Sequence, residues 1–119
     1  MLKEFPATQP PGEPRRRWFS GDDLDLIVWL APDATTITGF QLCYKRTGAD
    51  YALTWTPEAG FRHDHVDDGE ANPEKNQTPI LVADGAVDSN TLLARFMRSS
   101  AEIDPAVREV VLEKLRLLR

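Results

Sequence analysis

His63 and His65 form the pattern in this sequence that most directly suggests chemistry. They are the only two histidines of the chain, and Asp64 lies between them. Residues two apart in a β-strand point to the same face, so both imidazoles would lie side by side. Histidine is the commonest ligand for zinc, copper and iron, and the spacing therefore predicts a pair of metal ligands. The alternative is two half-exposed edge-strand histidines that hydrogen-bond to nearby groups.

The turn at residues 57–60 decides which third ligand such a site could use. A four-residue loop would place His63 on the same face as Cys43, which permits a Cys/His/His set. A five-residue loop would place His63 beside Leu53 instead. We favour the five-residue loop, because the shorter one points Asp64 into an aromatic face, and a buried unpaired carboxylate costs several kcal/mol.

Asp67 and Glu70 are the other candidates to complete a metal site. Their acidic segment is also typical of a solvated turn. Cys43 could act as a nucleophile assisted by a histidine, but a mid-strand cysteine more often behaves as a small, partly buried apolar residue. Beyond such a divalent ion we predict no cofactor, because serine-nucleophile, phosphate-binding and paired-cysteine motifs are absent from the sequence. No catalytic residue is assigned.

A β-hairpin must position these residues. Gly39–Lys45 and Asp50–Thr56 each alternate apolar and polar side chains, which is typical of half-buried strands. A turn at 46–49, or a two-residue loop at 47–48, gives one and the same register. The predicted cross-strand pairs are Tyr44–Tyr51, Leu42–Leu53, Phe40–Trp55, Cys43–Ala52, Gln41–Thr54, Gly39–Thr56 and Lys45–Asp50. Trp18, Trp29 and Trp55 could build a ligand slot, but aromatics at strand spacing more often lie in a core, and these three are expected there.

The order of elements predicts an α+β domain, an antiparallel β-meander of about five strands with two C-terminal helices packed on one face. A single domain accounts for all 119 residues. Its parts are a Pro-rich extended arm at 1–14, the meander at 15–66, a polar loop at 67–79 and a helical C-terminal part at 80–119. Ile80–Val82 can add a short strand.

The strand Leu24–Leu30 is apolar on both faces, since Ile27 and Trp29 alternate with the leucines and the valine. Such a strand is normally covered on both sides. The cover could be the N-terminal arm, a later segment or another subunit.

The last helix is predicted to start at Asp104-Pro105, an N-cap followed by proline. Its apolar stripe is wide, with Leu117 at one side of it and Leu112 outside it. A wide stripe suggests contacts beyond the sheet. Together with the two-sided strand, it predicts a homodimer.

The net charge of −5 argues against a nucleic-acid partner, because binding to phosphates normally requires a basic face. No apolar run approaches the ~18 residues that span a membrane. The N-terminus lacks the apolar region of a secretory signal. A single cysteine suits a reducing compartment. We therefore expect a cytoplasmic protein with no membrane partner.

Several phrases between residues 15 and 86 are distinctive together: RRRWFSGDDLDLIVWL, GFQLCYK, ALTW, VDDGE and TPILVADG. This part of the chain resembles a family of small bacterial proteins of uncharacterised function. The resemblance implies a compact bacterial cytoplasmic domain, and it supplies no catalytic residues. We therefore predict a non-enzymatic binding or interaction domain that self-associates. The alternative is a metal-binding protein or metal-dependent enzyme centred on His63 and His65.

Overall fold

The structure, a computed structural model, describes residues 1–9, 11–12, 14–33, 35–46, 49–67, 80–83 and 89–118, with side chains left out at 46, 66–67 and 80–83. These ranges form β1 Lys3–Phe5, β2 Arg15–Ser20, β3 Leu24–Leu30, β4 Ile37–Arg46, β5 Ala49–Thr56, β6 Gly60–Asp67, β7 Ile80–Ala83, α1 Ser89–Ser99 and α2 Pro105–Leu115. All seven strands lie in one sheet in chain order, each antiparallel to the next. The predicted α+β meander is confirmed, with two strands more than about five.

The register of the central hairpin is as predicted. Six of the seven expected pairs between β4 and β5 are formed, from Phe40–Trp55 to Lys45–Asp50. Arg46 also pairs with Ala49, so the loop is the two-residue version, and its residues 47–48 lie outside the described ones. The two aromatic pairs stack with ring centroids 6.0 Å and 5.6 Å apart.

The structure differs from the predicted arm at its first residues. Leu2 is fully buried, and its backbone N–H donates to the carbonyl of Ser99 at 2.8 Å. Lys3–Phe5 then pairs with Trp18–Ser20 as strand β1. The prolines begin only at Pro6, so the residues before it keep the N–H groups that a ladder needs.

We call the sheet face that carries Phe19, Leu26, Leu42 and Leu53 the inner face, because both helices pack on it. The core joins these side chains to α1 and α2. Its members on the helices are Leu92, Phe96, Val107, Val111, Leu112 and Leu115. The opposite face is called the outer face below.

Helix α2 starts as predicted, because the Asp104 carboxylate accepts a hydrogen bond from the Ala106 N–H at 2.9 Å and Pro105 follows the cap. Its apolar face is oriented differently from the prediction. Leu112, placed outside the stripe by the sequence, is only 1% exposed, whereas Leu117 is 61% exposed. The predicted stripe is wrong at these two positions, and the buried face turns towards Leu112.

Arg17 joins β1, β2 and α2. Its guanidinium donates two hydrogen bonds of 2.7 Å to the carboxylate of Glu4 and one of 3.0 Å to Asp104. The hydrogen bonds from Arg17 lower the pKa of Glu4. The pKa of Asp104 is lowered first by the backbone N–H of Ala106 and then by Arg17. This cluster holds the N-terminal strand against the start of the last helix.

Candidate functional site

The turn before β6 places both histidines on the inner face. Thr56 pairs with Gly60, and Gly60 has a φ of +71°, a left-handed conformation that suits glycine in a three-residue hairpin loop. His63 therefore lies opposite Leu53, and His65 lies opposite Tyr51. The favoured five-residue version of the turn, counted from Thr56 to Gly60, is confirmed.

His63 belongs to a stacked aromatic cluster. It is 9% exposed, and its Nε2 shares a short hydrogen bond with the hydroxyl of Tyr44. The imidazole is nearly parallel to the ring of Tyr51, at 3° and 5.4 Å between centroids, and His65 packs tilted on the same ring at 5.4 Å. Arg95 lies 5.7 Å from the centroid of Tyr44 and closes the cluster from the side of α1. Both the stacking and the hydrogen bond hold the His63 ring in place.

Cys43 does not join the histidines. It pairs with Ala52 on the outer face, so the sheet itself separates its sulfur from His63. The Cys/His/His set is excluded by this geometry. Among the described residues no group of three or more His, Cys, Asp or Glu side chains could hold a metal ion. The side chain of Asp67 and the whole of Glu70 lie outside the described residues, so the His63–His65 metal pair stays a prediction.

The thiol of Cys43 is a poor nucleophile in this setting. Burial, and after it the negative charges of Asp25 and Asp50, raises its pKa to about 11. At neutral pH the sulfur therefore remains protonated, and only a thiolate attacks efficiently. Its Sγ lies 3.8 Å from the side-chain oxygen of Gln41, which it meets as a weak donor. The interpretation as a small, partly buried residue fits this environment.

Asp64 lies on the outer face and is fully buried, opposite Ala52 and Ala83. The Nε of Arg62 donates to both of its carboxylate oxygens, at 3.0 and 2.8 Å. Arg62 itself keeps 62% of its side chain exposed. A buried carboxylate is tolerated when a cation and hydrogen bonds compensate for the lost hydration. Here Arg62, two residues earlier on the same strand, supplies both the positive charge and the hydrogen bonds.

The outer face of β1–β3 carries an exposed aromatic patch, which we define as Phe5, Trp18, Ile27 and Trp29. Phe5 is 42% and Trp18 37% exposed, and their rings lie 5.3 Å apart. Ile27 and Trp29 are half-buried. Phe5, Trp18 and Ile27 form one row across three strands, because the register pairs them directly.

The N-terminal segment covers only part of this patch. Residues 6–8 border, together with Arg16, Trp18 and Ile27, an open hollow of about 280 Å³. In the described part of the chain both helices lie on the inner face, and no other element lies over the patch. The N-terminal arm was one of the three covers expected for β3. It covers part of the outer face of this strand.

Sequence reasoning placed all three tryptophans in the core, which is wrong for Trp18 and only partly right for Trp29. Trp55 is half-buried on the inner face, with the Lys114 ammonium 4.6 Å from its ring centroid. A signal for the exposed patch was present in β2, where adjacent Trp18 and Phe19 must point to opposite faces. β3 carries the same two-sided pattern, so the two strands together indicated an apolar outer face.

Trp29 also explains a glycine of the neighbouring strand. Gly39 pairs with Trp29, and a Cβ at Gly39 would lie 3.3 Å from the indole Cε3 and 2.9 Å from the carbonyl oxygen of Trp55. The absence of a side chain thus lets the indole lie close over the sheet. Gly39 therefore leaves room for the Trp29 ring on the outer face.

A scan against protein-family models gives no match, and searches of curated proteins and of solved structures give none either. Neither helix in the described ranges is long and apolar enough to cross a membrane.

Proposed function

We propose that this protein is a non-enzymatic interaction domain that self-associates as a homodimer through the outer face of β1–β3. The observation that carries the proposal is the exposed aromatic patch. Exposed apolar patches often mark interaction sites, and aromatic residues are enriched in the buried centres of interfaces. Trp and Tyr are also the residues that most often dominate binding energy.

The chemistry-bearing side chains of the described residues support a non-enzymatic role. The Cys43 thiol is protonated at neutral pH, and its strand register directs it away from His63. The ring of His63 is engaged by Tyr44 and Tyr51. An enzyme needs a nucleophile or base that converges with its partners on a substrate. These side chains instead fill the inner face or lie apart on the outer one.

We also propose a bacterial, cytoplasmic protein that binds neither nucleic acid nor membrane. A single cysteine is consistent with a reducing compartment, and the resemblance described above implies a bacterial source. The net charge of −5 disfavours binding to phosphates.

The homodimer is tested by sedimentation velocity over a micromolar concentration series. The wild-type chain should sediment as a dimer of the 13.4 kDa subunit, and Trp18→Thr should weaken the dimer at least roughly tenfold, as expected for an aromatic side chain at an interface centre. Met97→Gln is the matched control, because Met97 is 41% exposed on α1, away from the patch.

A wild-type chain that stays a 13.4 kDa monomer throughout would overturn the proposal. Equal weakening by both variants would place the contact elsewhere. Thermal unfolding of each variant shows whether a change in association reflects a change in folding. We expect little change in the melting temperature of either variant, since both side chains are exposed.

A further inference from the structure

We infer that the outer face carries a binding site for a small aromatic carboxylate. The site is the open hollow beside the exposed aromatic patch, which is bordered by Pro6, Ala7, Thr8, Arg16, Trp18 and Ile27. The inference goes beyond the proposed homodimer and does not rest on it. Because the hollow and the patch share Trp18 and Ile27, a ligand and a second copy would compete for the same surface.

The guanidinium of Arg16 is held in a fixed orientation and keeps donors to spare. Its Nε donates to the carbonyl of Thr8 at 2.8 Å. The backbone of Arg16 is fixed in turn by the side-chain amide of Gln9, through hydrogen bonds of 2.7 and 3.0 Å. The two terminal nitrogens make no hydrogen bond or ion pair within the described residues. The planar donors of a guanidinium match the two oxygens of a carboxylate, so this side chain is a preorganised carboxylate receptor.

Aromatic side chains surround this guanidinium. Arg16 pairs with Trp29 across the strands, and Trp18 lies two residues further along β2 on the same face. Arg16 itself is half-buried, and a charge pair that is partly removed from water is stronger than one in open solvent. The indole of Trp18 is 37% exposed and offers a flat apolar surface on which an aromatic ring can stack. The two side chains together select an anion that carries an aromatic ring.

Arg16 also sets the sign of the charge in the hollow. None of the other described residues that border it is charged. Lys3 and Asp25 lie on the same face, one strand to either side of β2, where both pair with Ser20. Their charges are opposite, and their backbone positions are similarly far from Arg16, so their effects at the hollow largely cancel. The hollow therefore attracts anions.

The size of the hollow limits the ligand to about one ring. Its volume is about 280 Å³, whereas pockets for drug-sized ligands measure about 300–1,000 Å³ and enclose most of the ligand. This hollow is open to water on one side, and a ligand of a single ring and a carboxylate has few atoms that can make contacts. We therefore expect a dissociation constant on the order of 1 mM for a simple compound of this class.

Phenylacetate and phenylacetamide test the site, because they have nearly the same shape and only the first is charged at neutral pH. Each is titrated into the protein, and binding is followed by tryptophan fluorescence. The wild-type chain should bind phenylacetate about fivefold more tightly than the amide, as expected for one partly exposed charge pair. The fluorescence change should be absent in Trp18→Thr, which shows that the signal comes from the hollow.

Arg16→Gln should bind the two compounds equally, because it removes the guanidinium. The backbone of residue 16 can still pair with Gln9 in this variant. Arg15→Gln is the matched control, since it removes the same charge from the adjacent residue, whose side chain points to the opposite face. This control should keep the fivefold preference for phenylacetate.

Equal binding of the acid and the amide by the wild-type chain would overturn the inferred site, and so would a preference that survives in Arg16→Gln. The titrations use a protein concentration at which sedimentation shows a monomer, so that no second copy covers the hollow. A monomer whose fluorescence does not respond overturns the site and leaves the proposed dimer intact. A chain that binds phenylacetate as described but never dimerises overturns the dimer alone. If Arg16→Gln fails to fold, the acid-to-amide ratio of the wild-type chain decides.

Discussion

Leu112→Ala and Leu117→Ala form a matched pair that tests how helix α2 lies on the sheet. Leu112 is 1% exposed and belongs to the core, whereas Leu117 is 61% exposed beyond the end of the helix. A buried Leu→Ala change costs about 2–5 kcal/mol, because it removes apolar contacts and leaves a cavity. An exposed change stays within about 0.5 kcal/mol.

For a chain of 119 residues, each kcal/mol shifts the melting temperature by roughly 4 °C, so Leu112→Ala should lower Tm by about 12 °C for a loss of about 3 kcal/mol. Leu117→Ala should lower it by at most about 2 °C. Circular dichroism melts measure Tm, and urea unfolding with an unchanged m-value confirms that the folded state alone is affected. Equal shifts, or a larger one for Leu117→Ala, would refute the orientation of α2.

Two further predictions concern the ion cluster and the histidines. Arg17→Met should cost about 1 kcal/mol at neutral pH, a value kept low because the Glu4 and Asp104 side chains are 44% and 39% exposed. Both carboxyl pKa values are lowered on folding, so their stabilisation is present above the unfolded values of 4.5 and 3.8 and is lost as the pH falls through the lower folded ones. In urea titrations the difference between wild type and variant should therefore shrink below pH 4.5, and a constant difference would contradict this linkage. A metal site at His63 and His65 predicts near-stoichiometric metal in the purified protein and a rise in Tm with zinc, nickel or manganese, both lost in the His63→Ala/His65→Ala variant. Metal-free protein that gains no stability with these ions would remove the metal alternative.

The central strands could be predicted from the sequence because each position there carries independent information. Alternation in β4 and β5 fixes which side chains share a face, and the pairs Phe40–Trp55 and Lys45–Asp50 agree on a single register. The parity of the turn before β6 followed from the cost of pointing Asp64 into the apolar face. In the structure this carboxylate lies on the other face and meets Arg62.

Helix α2 was harder to predict because several apolar side chains compete for one face. A projection at 100° per residue holds only while the helix continues, and α2 ends at Leu115. Beyond it Leu117 and Leu118 bond to carbonyls three residues back, at Lys114 and Leu115, which is a tighter turn than an α-helix. Leu117 thus leaves the stripe. The rotation of α2 about its own axis depends on the shape of the sheet that it packs against. The sequence of the helix alone does not specify that shape.

Strand β1 was not predicted, because three residues are too few to show the alternation of apolar and polar side chains that marks a strand. Its presence changes the interpretation of the patch, since Phe5 extends the aromatic row begun by Trp18 and Ile27. The sequence did predict that the outer side of β3 needs a cover, because Ile27 and Trp29 alternate with the leucines. It could not predict that segment 6–8 supplies only part of it.

The β1 side of the sheet favours a partner that binds the face over one that adds a strand. Pro6 cannot donate to a ladder, so β1 ends at Phe5, and the backbone of Arg16 would be left open along β2. The side-chain amide of Gln9 takes this place, because it donates to the Arg16 carbonyl at 2.7 Å and accepts from the Arg16 N–H at 3.0 Å. An added strand would have to displace Gln9 or pair with only three residues, and short or blocked edges discourage such pairing. The aromatic patch presents no such obstacle, which agrees with the proposed contact through the outer face.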